Sequence, residues 1–71
     1  MSQIEELKRT MDESGMTMKA IAEKSGILRE TLYNRLNGKG EFTASEIVAL
    51  SRVLNLSNKQ RDHIFLDKKL N

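Results

Sequence analysis

The sequence has 71 residues, contains no cysteine and carries a formal net charge of +2. This length corresponds to one small domain, whose core leaves little room for a large catalytic cavity. The lack of cysteine excludes disulfides and thiolate metal sites and is typical of proteins in a reducing compartment. The charge is only a weak indication of a polyanionic partner, because 10 acidic residues nearly balance 12 basic ones.

No stretch of the sequence suggests secretion or insertion into a membrane. The first ten residues, MSQIEELKRT, lack an apolar core of signal-peptide length. No later stretch approaches the roughly eighteen apolar residues that a membrane-spanning helix needs. We therefore expect a soluble cytoplasmic protein without a membrane partner.

An all-α fold is predicted, because the chain has no proline, only four glycines and no alternating polar and β-branched runs. Helix starts are marked by capping boxes, in which a hydroxyl caps one free helix N–H and a later side chain reaches back to another. Three pairs match this pattern: Ser2 with Glu5, Thr43 with Glu46, and Ser57 with Gln60.

The first two helices are predicted over about residues 3–14 and 18–25. The first carries an apolar stripe at i, i+3 and i+7, formed by Ile4, Leu7 and Met11, with Gly15 just past its end. Thr17 is predicted to cap the second helix, which buries Ile21 and Ala22. Gly26 ends that helix in a left-handed conformation that most other residues avoid.

The third helix is predicted over about residues 28–37, with Leu32 and Leu36 as its inner face and Ile27 at its start. The fourth, over about 44–55, repeats the i, i+3, i+7 pattern with Ile47, Leu50 and Leu54, and Phe42 with Ile47 forms a hydrophobic staple. The fifth, over about 58–70, carries apolar residues that do not fit one stripe: Ile64, Phe65, Leu66 and Leu70. Part of that helix therefore either faces a second subunit or is frayed.

Two short helices joined by a tight glycine turn must cross steeply, and Ala22 is small where the third helix approaches. With Leu32 and Leu36 turned inward, the outer side of the third helix could enter a DNA major groove, about 12 Å wide. That outer side carries Arg29, Glu30, Tyr33 and Asn34.

The stretch TMKAIAEKSGILRETLYNRLNGKG resembles the helix-turn-helix of the Cro and phage-repressor family, often called the XRE family. The resemblance rests on Ala22, Gly26, Leu32, the TLY run and the closing NGK. It implies a compact five-helix, lambda-repressor-like domain over residues 1–71, with the helix-turn-helix at about 18–37. Such proteins bind double-stranded operator DNA through the second helix of the pair, commonly as dimers, in the cytoplasm of bacteria or phage-infected cells.

Three positions depart from the family pattern. The family usually has apolar residues where this chain has Ser25 and Arg35, which indicates a thinner seam between the helices or a slight shift of the third helix that leaves Leu36 to fill it. It commonly has serine or threonine where this chain has Leu28. That change removes a capping hydroxyl and one phosphate contact.

Arg29 and Asn34 are the predicted base readers. The arginine fork can donate two hydrogen bonds to O6 and N7 of guanine, worth about 1–3 kcal/mol of discrimination, and the asparagine amide can pair with adenine. The alternatives are a solvated arginine paired with a nearby carboxylate and an ordinary exposed asparagine.

Three other residues of the third helix each have two interpretations. Thr31 offers a methyl to thymine or a hydroxyl to phosphate, or is simply small enough to permit close approach. Tyr33 reaches a phosphate or a base-pair edge, or is partly buried. Glu30 accepts a hydrogen bond from cytosine and excludes other sequences, or else it favours the helix N-terminus or holds Arg29 or Asn34 in place.

Phosphate contacts are predicted at the end of the third helix and at the start of the second. The resemblance implies them for its end and the following loop, at Arg35, Asn37 and Lys39. Thr17 and Lys19 lie at the start of the second helix, where the partial positive charge of the helix terminus favours an anion. For each cation the alternative is a solvated charge.

The sequence indicates no enzyme, cofactor or metal site. His63 is the sole histidine, and Asp62 and Asp67 are close to it in the sequence. One histidine with two carboxylates is a weak indication of a metal site, and a surface or interface histidine is the favoured interpretation. No set of nucleophile, base and orienting residue can be assembled.

The leading functional hypothesis is therefore a Cro-type repressor, in phage lysogeny control, with DNA as its only ligand. The alternative is a modulator or antirepressor that pairs with a larger repressor, which the weak charge, Glu30 and Leu28 favour somewhat. The partners are therefore a second copy in a homodimer or a repressor protein in a hetero-complex. The dimer surface is predicted either at the loop between the third and fourth helices with the start of the fourth, or at the apolar residues of 64–70.

Overall fold

The computed structural model describes residues 3–66, which form helices and no strand. The helices are α1 (Gln3–Glu13), α2 (Met18–Ser25), α3 (Arg29–Leu36), α4 (Ala44–Val53) and α5 (Asn58–Arg61), and α5 continues as a π-helix (Asp62–Leu66). The predicted all-α, five-helix fold is confirmed, and the first four helices begin and end within two residues of their predicted limits. The predicted end of the fifth helix, at residues 67–70, lies outside the described residues.

Two of the three predicted capping boxes are present. At α4, Thr43 Oγ1 accepts from the Glu46 N–H at 3.2 Å, and Glu46 Oε1 accepts from the Thr43 N–H at 2.9 Å. At α5, Ser57 and Gln60 make the same reciprocal pair, at 3.1 and 2.9 Å. Each box satisfies two N–H groups that the first helical turn leaves without intrahelical partners. Ser2, which belongs to the third predicted box, lies outside the described residues.

The core draws side chains from α1 to α4, from the turn between α2 and α3, and from the π-helix. Its members are all apolar: Leu7, Met11, Ile21, Ala22, Ile27, Leu32, Leu36, Leu50 and Ile64. No polar or charged residue is buried among residues 3–66. Burying a leucine or isoleucine side chain contributes about 1.5–3 kcal/mol, so the fully buried members dominate the stability of this small fold.

The last apolar residues are accommodated by the π-helix. Ile64 is buried in the core, and the ring of Phe65 meets the ring of Phe42 edge-on, with centroids 5.4 Å apart and an interplanar angle of 79°. Leu66 remains exposed. The chain's own core therefore accounts for Ile64 and Phe65 without a second subunit, and Leu70 lies outside the described residues.

Leu50 provides a test of the core. Truncation of this fully buried side chain, Leu50→Ala, is expected to lower the free energy of unfolding by about 2–5 kcal/mol, because it leaves a cavity between helices. The control Val48→Ala lies on the same helix and is half exposed, so it should change that free energy by less than about 0.5 kcal/mol. Urea unfolding followed by circular dichroism measures both, and equal losses would contradict the packing described.

Candidate nucleic-acid interface

The turn between α2 and α3 begins at Gly26, whose backbone is left-handed, with a φ of +77° and a ψ of 12°. Its N–H donates to the carbonyl of Ala22 at 2.9 Å and so ends α2. A Cβ at this glycine would meet no atom within 4 Å, so glycine is favoured here by backbone conformation and not by lack of space. The predicted left-handed glycine is confirmed.

Ser25 stabilises the same turn with its hydroxyl. Its Oγ donates to the carbonyl of Ala22 at 3.2 Å and accepts from the N–H of Ile27 at 3.3 Å. Ile27 packs into the core directly after the glycine. At position 25, where the family usually has an apolar residue, hydrogen bonds therefore hold the turn on both sides of Gly26.

α3 has a buried side and an accessible side. Leu32 is completely buried and Leu36 nearly so, and because they are four residues apart they occupy one face of the helix. Of the predicted readers, Arg29, Glu30 and Tyr33 are exposed and Asn34 is partly buried. Arg29 lies three residues before Leu32, in the first turn, and lines a shallow groove with Lys19 and Glu23 of α2. Thr31 lies at the edge between the two sides and is also partly buried. Glu30 and Asn34, four residues apart, thus share the outward side of α3, and Arg29 is accessible at the start of the helix beside α2.

The start of α3 lacks a side-chain cap, as predicted from Leu28. This residue has an extended backbone and makes no capping hydrogen bond, and its side chain is 76% exposed. Without a capping hydroxyl, the N–H groups of the first turn are left to solvent or to a ligand.

Thr17 and Lys19 flank α3 from the start of α2. Thr17 Oγ1 accepts from the N–H of Ala20 at 3.0 Å, which confirms the predicted cap. The hydroxyl proton of Thr17 is still available for donation to an acceptor such as phosphate. Both Thr17 and Lys19 are exposed.

Asn37 and Lys39 lie at the end of α3. The Asn37 N–H donates to the carbonyls of Tyr33 and Asn34, at 3.0 and 3.1 Å, and the Lys39 N–H donates to the carbonyl of Asn34 at 2.8 Å. Between them Gly38 has a φ of +84°. The start of the loop is therefore fixed to α3, while the side chains of Asn37 and Lys39 remain exposed.

Arg35 differs from the other predicted phosphate contacts, because its guanidinium binds a carboxylate of the protein. Its Nε donates to Glu46 Oε1 on α4 at 3.3 Å, and the two side chains are only 21% and 16% exposed. Sequence reasoning missed this pair, since Glu46 was recognised only as a cap. The available signal was a charged residue beside Leu36 at a position where the family is apolar, because a largely buried charge needs a partner.

The weak metal proposal gains no support from the structure. Residues 3–66 contain no group of three or more histidine, aspartate or glutamate side chains that could hold a metal ion, and His63 is exposed. Asp67, the remaining member of the proposal, lies outside the described residues. In the same range, no helix is long and apolar enough to cross a membrane.

A family model described as helix-turn-helix matches residues 7–57, from α1 to the cap of α5. The chain belongs to this helix-turn-helix family. It is the Cro and phage-repressor family that the sequence resembles, and the match covers more than two thirds of the chain. No similar protein was found among curated proteins, and none among solved structures.

As a member of this family, the protein is a DNA-binding transcription regulator. The family itself is not enzymatic. The match includes both helices of the motif, the turn at Gly26 and the loop after α3. The surface assembled from these elements is therefore the candidate interface with nucleic acid.

The turn yields a second prediction. In Gly26→Ala a Cβ is forced into left-handed backbone, which should lower the free energy of unfolding by about 1–2 kcal/mol. Gly26→Asn is the matched control, because asparagine tolerates this conformation better and should cost less. Thermal and urea unfolding compare the two variants. If alanine were as well tolerated as asparagine, the left-handed turn would not be the constraint at this position.

Proposed function

We propose that this chain is a Cro-type repressor that reads operator DNA with α3, in phage lysogeny control in a bacterial or phage-infected host cytoplasm. The supporting observation is the arrangement of α3, with Leu32 and Leu36 in the core and polar side chains on the outer surface. A helix held in this way can enter the major groove without exposing the core.

Arg29 and Asn34 are proposed as the base readers, for guanine and for adenine. Arg29 is exposed in the first turn and forms no ion pair within residues 3–66, so its guanidinium is available for a bidentate contact. Asn34 lies one helical turn after Glu30 and on the same side of α3. Thr31, at the edge of this surface, would contact a thymine methyl or a phosphate.

Glu30 is proposed to accept a hydrogen bond from the amino group of cytosine. It is exposed and makes no ion pair within the described residues, which disfavours a role in holding Arg29 through a salt bridge. A carboxylate placed against other base edges or phosphates is repelled. Glu30 would therefore add discrimination between sequences more than affinity.

Residues on the flanks of α3 are proposed to hold the DNA backbone. Thr17 and Lys19 lie at the start of α2, Asn37 and Lys39 at the end of α3, and Tyr33 is 49% exposed. Contacts on both sides of a recognition helix set its position and angle in the groove. A homodimer would present two such helices to half-sites about 34–36 Å apart.

A second candidate function is that of a modulator or antirepressor acting in a hetero-complex with a larger repressor. Leu28 favours it, because this side chain is 76% exposed at the start of α3 and lines a shallow groove with Ser45 and Ala49 of α4. Val48, also on α4, is half exposed. Exposed apolar side chains on adjoining elements are typical of protein-protein contact surfaces.

Selection from random duplex DNA distinguishes the two functions. An autonomous repressor should enrich a two-fold symmetric sequence, with affinity that falls steeply as salt rises because each phosphate contact releases counterions. If the isolated protein enriches no sequence, the repressor proposal is wrong. Recovery of a stable hetero-complex on co-expression with a larger repressor would then support the modulator.

Substitutions at Arg29 and Lys39 separate base reading from phosphate contact. Arg29→Ala should cost about 1–3 kcal/mol on the selected operator and relax preference at one base position. Lys39→Ala should weaken binding to all sequences alike and reduce the salt slope by about one. Titrations on the operator and on single-base variants, at several salt concentrations, measure both effects. Parental binding by both variants would contradict the assignment of α3.

A further inference from the structure

The side chain of Arg35 leaves the last turn of α3 and runs towards α4. Its Nε bonds Glu46 Oε1, and because both side chains are largely buried, the pair is shielded from solvent. Drawing the guanidinium out to a phosphate would leave the Glu46 carboxylate without its cation in a poorly solvated place. The pair is also neutral overall, so Arg35 adds little to the attraction for DNA.

The carboxylate that receives Arg35 belongs to the cap of α4. Glu46 Oε1 accepts from the Thr43 N–H at 2.9 Å and from Arg35 Nε at 3.3 Å. One oxygen atom therefore joins the end of α3 to the first turn of α4, and the loop of residues 37–43 spans the two ends of this connection.

The loop backbone packs on the same guanidinium. Gly40 has a φ of +85°, and a Cβ at this position would lie 2.8 Å from Arg35 Nη1. Gly38 has nearly the same φ, +84°, but a Cβ there would meet no atom within 4 Å. The middle of the loop thus lies against Arg35, directly after Lys39.

We propose that Arg35 is a positioning residue that, through Glu46 and the backbone at Gly40, holds the loop of residues 37–43 so that Asn37 and Lys39 face the DNA backbone. This replaces the expected phosphate contact by Arg35 itself, and it rests on the proposed function. A loop ordered before binding loses less conformational freedom when its side chains engage a ligand.

Glu46→Gln is the most discriminating substitution. Glutamine is accepted in a capping box, so the cap of α4 is retained while the charge that holds Arg35 is lost. A positioning role predicts operator binding that is weaker by roughly three- to tenfold, although a negative charge has been removed near a polyanion. If Arg35 contacts phosphate directly, the same change frees the arginine, and binding is unchanged or tighter. That result would overturn the proposal.

A double-mutant cycle with Lys39 gives an independent readout. Arg35→Met removes the charge and keeps an unbranched side chain. In this background Lys39→Ala should lose part of its effect on operator affinity, because only the backbone bond from the Lys39 N–H to the Asn34 carbonyl still holds Lys39 in place. Additive effects of the two substitutions would instead mean that Arg35 and Lys39 act separately. Circular dichroism before each titration establishes whether the variants are folded. If Arg35→Met does not fold, Glu46→Gln alone tests the proposal.

The contact with the loop is tested without DNA by the two glycines. Gly40→Ala and Gly38→Ala impose the same backbone strain, but only the first places a Cβ against Arg35. Because Glu46 holds the guanidinium, moving it aside would disturb the ion pair, so the urea midpoint of Gly40→Ala should be the lower of the two. In the Arg35→Met background the midpoints should converge. Persistence of the difference there would overturn the contact.

Amide hydrogen exchange in residues 37–43 of the free protein separates failure of this proposal from failure of the proposed function. Faster exchange in Glu46→Gln than in the parent supports the positioning role. If the parent binds its operator but Glu46→Gln exchanges these amides no faster than the parent does, only the positioning role is overturned. A parent that selects no operator overturns the proposed function and with it the role of the loop on DNA.

Discussion

The junction between α2 and α3 depends on the left-handed backbone at Gly26, and the position of α3 follows from it. The glycine ends α2 on the Ala22 carbonyl, and Ser25 hydrogen-bonds on both sides of the turn. The chain then places Ile27 and Leu32 in the core. Once that side of α3 is buried, most of its polar side chains lie on the accessible surface, so folding also presents the residues that are predicted to read DNA.

A second constraint acts at the other end of α3, where an ion pair occupies a place that the family usually fills with an apolar side chain. Replacing a well-packed apolar contact with an ion pair is seldom a gain in stability, because both charges lose hydration. The Arg35–Glu46 pair does have a defined direction, and it shares an oxygen with the cap of α4. In this chain the ion pair therefore fixes the end of α3 relative to the first turn of α4 more narrowly than an apolar contact would.

The features that could be predicted from the sequence are those determined by neighbours within about four residues. The caps at Thr17, Thr43 and Ser57 and the left-handed Gly26 are of this kind, because their hydrogen bonds and steric limits are local. Contacts across loops were missed, as in the pairing of Phe42 with Phe65. The π-helix at Asp62–Leu66 was also missed, because the search for apolar periodicity assumes the repeat of a regular α-helix. The roles of the outer side chains stay predictions because they depend on a duplex whose sequence the protein alone does not contain.

The outer surface of α3 is the surface proposed to contact operator bases. The most direct test is an NMR titration of the labelled protein with its selected operator duplex, following the side-chain resonances of Arg29 Nε and Asn34 Nδ2 as well as the amides of residues 3–66. If α3 reads the bases, Arg29, Glu30 and Asn34 should show the largest changes, with intermolecular contacts to base protons, and the outer side of α1 should change little. Side-chain resonances on α3 that stay unchanged while another surface responds to the duplex would contradict it.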